Sequence, residues 1–267
     1  MIVISPSLAL VPVSVIDPDA PVIGWRNIVT SEIVAADTEA AGYPASNLAN
    51  VSTVEQWRST DDTGEQFITI DASGTFDYVA IARHNFGSGQ VSVRVDADVD
   101  SVWTEVVPEF LPGSDAPLIM LFESGTYLGL RVRLFADGIA PRASVLYAGQ
   151  ITRLQRRMYV GHTPLPYGRG ARVTNARSES GDFLGRIVLT ETLETAAPLK
   201  NITPSWYRET LDPFIAASKE VPFFWGWRPS SYPNEVGYAW MTNDPKPSNQ
   251  LPNGMMSIDL QMAGVAL

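Results

Sequence analysis

Apolar and polar residues alternate in short segments through the first half of the chain, the pattern of strands with one buried face. The clearest segment is 128–135, where Leu130, Val132 and Leu134 fall on one face and the intervening arginines on the other. Similar segments lie at 66–71, 77–83, 90–96, 118–122 and 143–150. Regularly spaced strands with turn residues between them predict a β-sandwich or barrel over residues 31–150.

The second half of the chain combines further strands with one predicted helix. Strand-like segments lie at 151–160, 169–178, 183–195, 222–227, 236–242 and 255–263. The alternation within 183–195 predicts a strand buried mostly on one face. The helix is predicted over 204–218, with Thr203 as its N-cap and Pro204 at its first position. Pro213 lacks an amide N–H and should kink this helix.

The first 30 residues carry two apolar runs that a Pro- and Asp-rich turn separates. These runs predict one or two strands, or an arm that pairs with a neighbouring subunit. We expect removal of the arm to weaken assembly more than folding. Neither a signal peptide nor a transmembrane helix is predicted, because basic residues are missing and prolines interrupt the run. The predicted division is an arm at 1–30, a sandwich at 31–150 and a second β domain at 151–267.

Composition limits the chemistry open to this protein. The chain has no cysteine and only two histidines, which excludes thiol nucleophiles, disulfides and multi-histidine zinc sites. Its net charge of −10 disfavours nonspecific binding to nucleic acid. Residues 1–148 hold 7 Arg and 19 acidic residues, a net −12, whereas residues 149–267 hold 12 basic and 10 acidic residues, a net +2.

Five motifs follow one another between Tyr43 and Asp98. They are Tyr43-Pro44-Ala45-Ser46-Asn47-Leu48, Trp57-Arg58-Ser59, Phe67-Ile68-Thr69-Ile70-Asp71, Tyr78-Val79-Ala80-Ile81-Ala82-Arg83-His84-Asn85 and Val91-Ser92-Val93-Arg94-Val95-Asp96. This order resembles the galactose-binding-like, discoidin-type jelly-roll family, especially its versions in tailed-phage structural proteins. The resemblance implies a binding or assembly module rather than an enzyme.

Residues 151–263 carry a long β-hairpin, one helix, the aromatic strand at 222–227 and two closing strands. This order resembles the split-barrel domain of phage distal tail proteins and related minor tail proteins. The resemblance implies a hexameric or trimeric ring in the tail of a virion, made in the host cytoplasm and contacting tail-tube and hub proteins. In many distal tail proteins the ring domain comes first. Here the sandwich precedes it, which leaves the position of the ring along the tail open.

Five residues of the jelly-roll region are candidates for contacts with a sugar ligand. They are Trp57, Arg58, Arg83, His84 and Asn85. His84 ends an apolar strand, so it either bonds to a neighbouring loop or contacts a sugar together with Arg83 and Asn85. Trp57 is of a type that also packs in the core of such folds.

The aromatic strand is the candidate subunit interface. Phe224, Trp225 and Trp227 make it apolar on both faces, which predicts burial on both. One face should meet the helix, and the other should meet either the rest of the barrel or a neighbouring subunit. Tryptophan is enriched at interfaces, but we favour a plain core for this strand over a subunit interface.

Asp96, Asp98 and Asp100 alternate, which would place them on one face of a strand. Such a cluster is typical of a solvated turn, and its oxygen atoms also suit a structural Ca²⁺ ion. A catalytic pair of carboxylates is the third interpretation. We predict no catalytic residues, no cofactor other than this Ca²⁺ and no other metal.

These features together predict a mostly β protein with an N-terminal jelly-roll β-sandwich and a C-terminal split-barrel-like domain with one helix. The predicted function is that of a non-enzymatic structural protein of a phage or phage-like tail tip. Its partners would be copies of itself, other tail proteins and host-surface glycan, with no nucleic acid and no membrane span. The alternative is a carbohydrate-binding module protein of a bacterial polysaccharide system. The third function is a small glycan hydrolase or lyase, which no constellation of acids or histidines in the sequence supports.

Overall fold

The computed structural model describes residues 1–9, 17–158, 161–250 and 253–266. Most of its elements are strands, as the alternating pattern predicts. In chain order they are β1 (Ile2–Ile4), β2 (Val22–Gly24), β3 (Val34–Ala36), β4 (Trp57–Arg58), β5 (Thr63–Ile70), β6 (Gly74–Ala82), β7 (Ser92–Val99), β8 (Val102–Phe110), β9 (Leu118–Tyr127), β10 (Leu130–Asp137), β11 (Arg142–Ala143), β12 (Val145–Gly149), β13 (Thr152–Arg153), β14 (Arg169–Arg177), β15 (Phe183–Ile202), β16 (Phe223–Gly226), β17 (Val236–Met241), β18 (Ser248–Asn249) and β19 (Met256–Val265). The helical elements are α1 (Pro6–Ala9), 3₁₀ turns at Ala45–Ala49 and Leu165–Tyr167, α2 (Pro204–Trp206), a π turn at Tyr207–Leu211 and α3 (Asp212–Ala217).

The first half of the chain forms the predicted jelly-roll sandwich. Its outer sheet has the strand order β3-β5-β10-β7-β8, and its middle sheet has the order β1-β9-β6-β12. Leu130, Val132 and Leu134 of β10 are fully buried between the two sheets, together with Trp57 and Phe76. The alternation in this strand is therefore confirmed.

A third sheet covers the other face of the middle sheet. Its strand order is β13-β2-β16-β17-β19-β15-β14, and β18 pairs with β19. Tyr78 and Tyr147 of the middle sheet pack there in one cluster with Phe224 and Tyr238 of the third sheet. The middle sheet is thus covered on both faces, which explains why every residue of β12 is buried and none alternates.

The helical segment covers the remaining face of the third sheet. Leu211, Phe214 and Ile215 lie in one apolar cluster with Phe223 and Trp225 of β16. The ring centroids of Phe214 and Phe223 are 4.9 Å apart in an edge-on arrangement. Each half of the chain therefore has its own core, and a third apolar cluster joins the two.

The helix begins where the sequence predicts but differs in its details. Thr203 is at the N-cap position and Pro204 at the first helical position, yet the threonine side chain accepts no cap bond from a backbone amide of the helix. Its hydroxyl instead accepts a hydrogen bond from Gln155 Nε2 at 3.0 Å. A π turn ends at Leu211, two residues before Pro213, where a residue without an amide N–H disturbs the helical bonding.

The third sheet is open rather than closed into a barrel. Within the described residues its order runs from β13 to β14 without a pair that joins these two ends. The C-terminal half is thus a β-sheet with one covering helix, and β14 is an edge strand. Unpaired edges are surfaces to which another chain can add.

The N-terminal segment is built into both halves of the fold. β1 pairs in parallel with β9, with Ile2 opposite Ile119. β2 lies in the third sheet, antiparallel to β16 and β13. Of the two apolar runs predicted as strands, the run at 22–29 contains β2. The run at 8–16 begins in α1 and continues into residues 10–16, which lie outside the described residues, and β1 precedes both runs.

The structure differs from the prediction in two places. β8 was not predicted; it contains Pro108 and lies at the edge of the outer sheet, where a proline is tolerated. The strand predicted at 151–160 is reduced to the two residues of β13, and 159–160 lie outside the described residues. None of the helices described in the chain has the length and apolar character needed to cross a bilayer.

Candidate functional site

A two-stranded hairpin extends beyond the third sheet. β15 pairs with β19 from Leu193 to Ile202, whereas its preceding residues pair with β14 alone. At about 3.4 Å per residue, this two-stranded part is roughly 30 Å long. An isolated two-stranded ribbon is at best marginally stable in water, so this one needs support from elsewhere. We refer to residues 169–192 as the hairpin.

The hairpin exposes large apolar side chains. They are Phe183, Leu184, Ile187, Val188 and Leu189, each between 50% and 67% exposed. Adjacent strand residues point to opposite faces, so Ile187 and Val188 leave apolar surface on both. The predicted strand is confirmed, but the prediction that its apolar face is buried is wrong for 183–192 within the chain, because no layer packs against either face.

Trp57 lies in the core of the sandwich. Its side chain is fully buried, and its Nε1 donates a hydrogen bond to the carbonyl oxygen of Thr38 at 3.0 Å. Of the two interpretations of Trp57, the structure thus places it as a packing residue with no surface for a ligand. Its strand neighbour Arg58 points the other way and is exposed.

His84 is buried, with both ring nitrogens engaged inside the chain. Nε2 donates to the carbonyl oxygen of Ala116 at 2.9 Å, and Nδ1 accepts from the amide of Phe86 at 3.2 Å. The ring also stacks on the Phe86 ring at 4.6 Å. The side chain therefore fastens a strand end to a neighbouring loop, which is the first of the two roles considered for it.

Burial makes His84 a source of acid sensitivity. Desolvation lowers the pKa of His84 from 6.5 to about 4, so only the unfolded chain binds its proton between those values. Stability is therefore lost as pH falls through this window, by about 3 kcal/mol in full. We expect the free energy of unfolding, measured by urea denaturation at about pH 7 and pH 4.5, to fall less in His84→Gln than in the unsubstituted protein. Arg83→Gln, at the exposed neighbouring position, is the control and should keep the original slope; equal slopes in His84→Gln would contradict the assignment.

Three exposed arginines remain from the predicted ligand region and its surroundings. Arg58 of β4 and Arg142 of β11 are directly opposite one another in the two-stranded pair. Asn85 is buried and holds this arrangement, because its Oδ1 accepts a hydrogen bond from the Arg142 amide at 2.9 Å. Arg83 has a φ of 55°, a backbone conformation that non-glycine residues rarely adopt and that recurs at ligand sites.

Arg83 lies between two clefts. The arginine cleft has a volume of about 470 Å³. Its lining includes Thr53, Gln56, Arg83, Asp115, Arg142 and Ser144. The tryptophan cleft has a volume of about 610 Å³ and lies against the base of the hairpin. Its lining includes Arg83, Arg169, Glu191, Thr192, Trp240 and Ala263.

The three residues of the predicted interface lie mostly inside the chain. Trp225 faces the helix, and Phe224 faces the jelly roll. Both are almost completely buried, so in this conformation neither offers a surface to a second copy. Trp227 is partly buried beyond the end of β16, where it stacks on Tyr232 at 5.3 Å. The second face of the aromatic strand thus meets the sandwich of the same chain.

The aspartate cluster is divided by ion pairing. Asp96 is buried and contacts Arg94 Nε at 2.6 Å and Arg133 Nη1 at 3.2 Å. Asp100 lies in the exposed turn after β7. Among the described residues no group of three or more His, Asp or Glu side chains is arranged to hold a metal ion. The two arginines occupy the carboxylate that a Ca²⁺ ion would need.

Sequence reasoning missed Arg142, Trp240 and the exposed residues of the hairpin. Trp240 follows Tyr238 at the strand period, so the pattern places both on one face, but it does not show that only Tyr238 is covered. Arg142 lies opposite Arg58 because β11 pairs with β4, and these two strands are far apart in the sequence. The sequence predicts both strands of the hairpin. It does not show that β19 ends opposite Leu193, which leaves the preceding residues of β15 without a second neighbour.

The chain has no match among protein-family models and none among curated proteins. Part of it is similar to solved structures. One is chitosan-binding module 1 of a chitosanase/glucanase from Paenibacillus sp. IK-5, with 18% identity, 46% of this chain and 98% of that chain covered, and a TM-score of 0.40. Another is CpGH89CBM32-5 from Clostridium perfringens, in complex with GalNAc-β-1,3-galactose, with 12% identity, coverage of 43% and 92%, and a TM-score of 0.37. A GH29 fucosidase of Ruminococcus gnavus in complex with fucose has 18% identity, coverage of 49% and 27%, and a TM-score of 0.40. These values assign no ligand to this chain.

Proposed function

We propose that this chain is a non-catalytic structural protein that assembles with copies of itself through the hairpin. The resemblance of its element order to tail-tip proteins makes the distal tail of a phage or phage-like particle the setting we propose, with a ring as the product. The observation that carries the proposal is the hairpin, which leaves the sheet and exposes apolar side chains on both faces. Contiguous exposed apolar surface of this kind marks interaction sites.

Two further features support a second copy of this chain as the partner that covers the hairpin. β14 is an unpaired edge of the third sheet, so the hairpin offers backbone donors and acceptors beside its apolar side chains. The hairpin, residues 169–192, carries four arginines against Glu179, Asp182 and Glu191, a net +1, whereas residues 1–148 carry a net −12. A hairpin from one copy that lies on the acidic half of another therefore gains attraction in a ring of identical subunits.

The assembly proposal is tested by placing charges on the hairpin. We expect the unsubstituted protein to self-associate with rising concentration in sedimentation velocity. The double variant Leu184→Glu with Ile187→Glu should weaken this association by about 100-fold or more, because two apolar side chains that become buried would then be charged. Val102→Glu, which places the same charge at an exposed valine of the outer sheet, is the control and should associate normally.

Two results would contradict the assembly proposal. The first is a protein that stays monomeric over the whole accessible range of concentration. The second is a double variant that associates as tightly as the control. Circular dichroism on both variants separates a loss of association from a loss of folding, and we expect folded spectra, since the substituted side chains contact no core.

Glycan binding by the jelly-roll half is the second candidate function. The observation that favours it is the pair of clefts that meet at Arg83, which together offer an exposed tryptophan, hydroxyl groups and guanidinium groups. Binding sites for small polar ligands combine an aromatic surface with a few oriented polar groups. This function is compatible with assembly, because the exposed apolar side chains of the hairpin line neither cleft. Titration of the protein with saccharides in a calorimeter tests it, and binding of none of them would contradict it.

A further inference from the structure

Three arginines of the jelly-roll half have no carboxylate partner among the described residues. The other four arginines of residues 1–148 are engaged: Arg94 and Arg133 in ion pairs, Arg131 over Trp103 and Arg26 over Trp25. The unpaired three are Arg58, Arg83 and Arg142. They are the exception in a stretch with 19 acidic residues, where a carboxylate partner would be easy to supply.

These arginines are also close to one another. Arg58 and Arg142 face the same side, because their strand neighbours Trp57 and Ala143 both point into the core. Like charges directly opposite on paired strands repel, so the two guanidinium groups destabilise the protein when no ligand is bound. An anion bound between them offsets this repulsion. Arginine also forms paired hydrogen bonds with carboxylate and related groups.

The acidic groups at the clefts leave the guanidinium groups free. Asp115 is the acidic residue of the arginine cleft, and its carboxylate accepts hydrogen bonds from the Ser88 amide at 2.8 Å and the Ser88 hydroxyl at 2.7 Å. In the tryptophan cleft Glu191 and Arg169 offset one another in charge. The net positive charge of the two clefts is therefore concentrated at Arg83 and Arg142, with Arg58 beside them.

The site also has an aromatic end, at Trp240 in the tryptophan cleft. Arg83 lines both clefts, so a ligand that contacts Arg142 can extend past Arg83 to Trp240, which is 42% exposed. Thr53, Gln56 and Ser144 add hydrogen-bonding groups on one side, and Thr192 adds one on the other. A chain of sugars has the length, the hydroxyl groups and the flat apolar faces for such a path. A nucleic acid strand would be repelled by the net charge of −10.

We propose that the two clefts that meet at Arg83 bind an acidic glycan, with an anionic group at Arg83, Arg142 and the neighbouring Arg58, and a sugar ring against Trp240. This proposal rests on the second candidate function, glycan binding, and adds the charge of the ligand. The anionic group is a carboxylate or a sulfate, since guanidinium groups bind both. The binding should weaken as salt is raised, because the arginines are exposed and their charge is screened.

The test is isothermal titration calorimetry with four probes. They are tetragalacturonate as the carboxylated probe, a heparin tetrasaccharide as the sulfated probe, maltotetraose as the neutral probe and a single-stranded oligodeoxynucleotide as a non-glycan polyanion. We expect one of the two acidic probes to bind and the neutral probe and the oligodeoxynucleotide to bind at least about tenfold more weakly. The carboxylated and sulfated arms identify which anionic group the arginines prefer.

Substitutions then locate the site. Arg58→Gln and Arg142→Gln should each weaken the acidic probe by about tenfold and flatten its salt dependence. Trp240→Ala should weaken it without changing the salt dependence, because this contact carries no charge. Arg208→Gln removes an exposed arginine of the helical segment and is the matched control, which should bind as the unsubstituted protein does.

The outcomes separate the two proposals. If none of the saccharides binds, glycan binding and the acidic ligand both fail. If the neutral probe binds as tightly as the acidic ones, glycan binding stands and the acidic ligand is overturned. Tight binding of the oligodeoxynucleotide, or an acidic probe that binds Arg58→Gln and Arg142→Gln unchanged, also overturns it. Loss in both arginine variants with normal binding in Arg208→Gln supports it.

Discussion

Replacing Phe224 with alanine is expected to lower the free energy of unfolding by about 3–5 kcal/mol, the range for truncating a buried phenylalanine. Its ring lies 5.3 Å from that of Tyr147 and 5.1 Å from that of Tyr238, at the centre of the cluster that joins the middle and third sheets. The cavity would lie between the two halves of the chain. We therefore also expect one unfolding transition in the unsubstituted protein and two separate transitions in Phe224→Ala.

Urea denaturation followed by tryptophan fluorescence and by circular dichroism measures both effects. Tyr167→Ala is the control, since its side chain is 59% exposed, and it should change stability by no more than about 0.5 kcal/mol. A loss below about 1 kcal/mol for Phe224→Ala would contradict the account of this cluster. Two hydrogen bonds cross the same boundary, from Tyr147 Oη to the Pro222 carbonyl at 3.0 Å and from Tyr238 Oη to the Val51 carbonyl at 2.9 Å.

Ile2→Asp is expected to destabilise the protein by about 4 kcal/mol or more, because it adds an unpaired buried charge to the loss of apolar contacts. Ile2 is 4% exposed and packs against β9, and a Cβ added at Gly226 would lie only 2.6 Å from its Cδ1. The sequence alone led to the expectation that the N-terminal segment matters more for assembly than for folding. Its position in the core instead predicts a direct effect on folding.

A graded series keeps this second prediction measurable. Ile2→Val should cost about 1 kcal/mol and leave the protein folded. Val54→Asp places the same carboxylate at a position that is 85% exposed and should leave the free energy of unfolding nearly unchanged. If Ile2→Asp unfolds at the same urea concentration as Val54→Asp, the N-terminal strand is dispensable for folding. In that case its role in assembly would be the one to pursue.

The strands could be predicted from the sequence because each has a local pattern. β10 alternates because one of its faces is buried and the other is not. β12 is apolar throughout because a different sheet covers each face, and the sequence shows its run but not the identity of the two partners. β8 was not predicted. It contains Pro108, and a proline counts against a strand until its position at an edge is known.

The candidate site could be predicted only in part. Arg58 and Arg83 are exposed, as a ligand contact requires, but His84 and Asn85, the two residues after Arg83, are buried and hold loops together. The alternation of buried and exposed side chains holds only within a strand. It fails at Arg83, where the strand has ended and the backbone turns with a positive φ. Arg142 and Trp240 join the site through long-range pairing, which a single sequence does not reveal.

The length of β15 has a mechanical consequence. Its first part is the free hairpin, and its second part is paired with β19 between Leu193 and Ile202. Ladder hydrogen bonds run perpendicular to the strands. A pull on the hairpin along its axis would therefore load these bonds together in shear, whereas a sideways pull would peel them one by one. The chain should transmit axial traction into its third sheet and yield far more easily to a force applied across the hairpin.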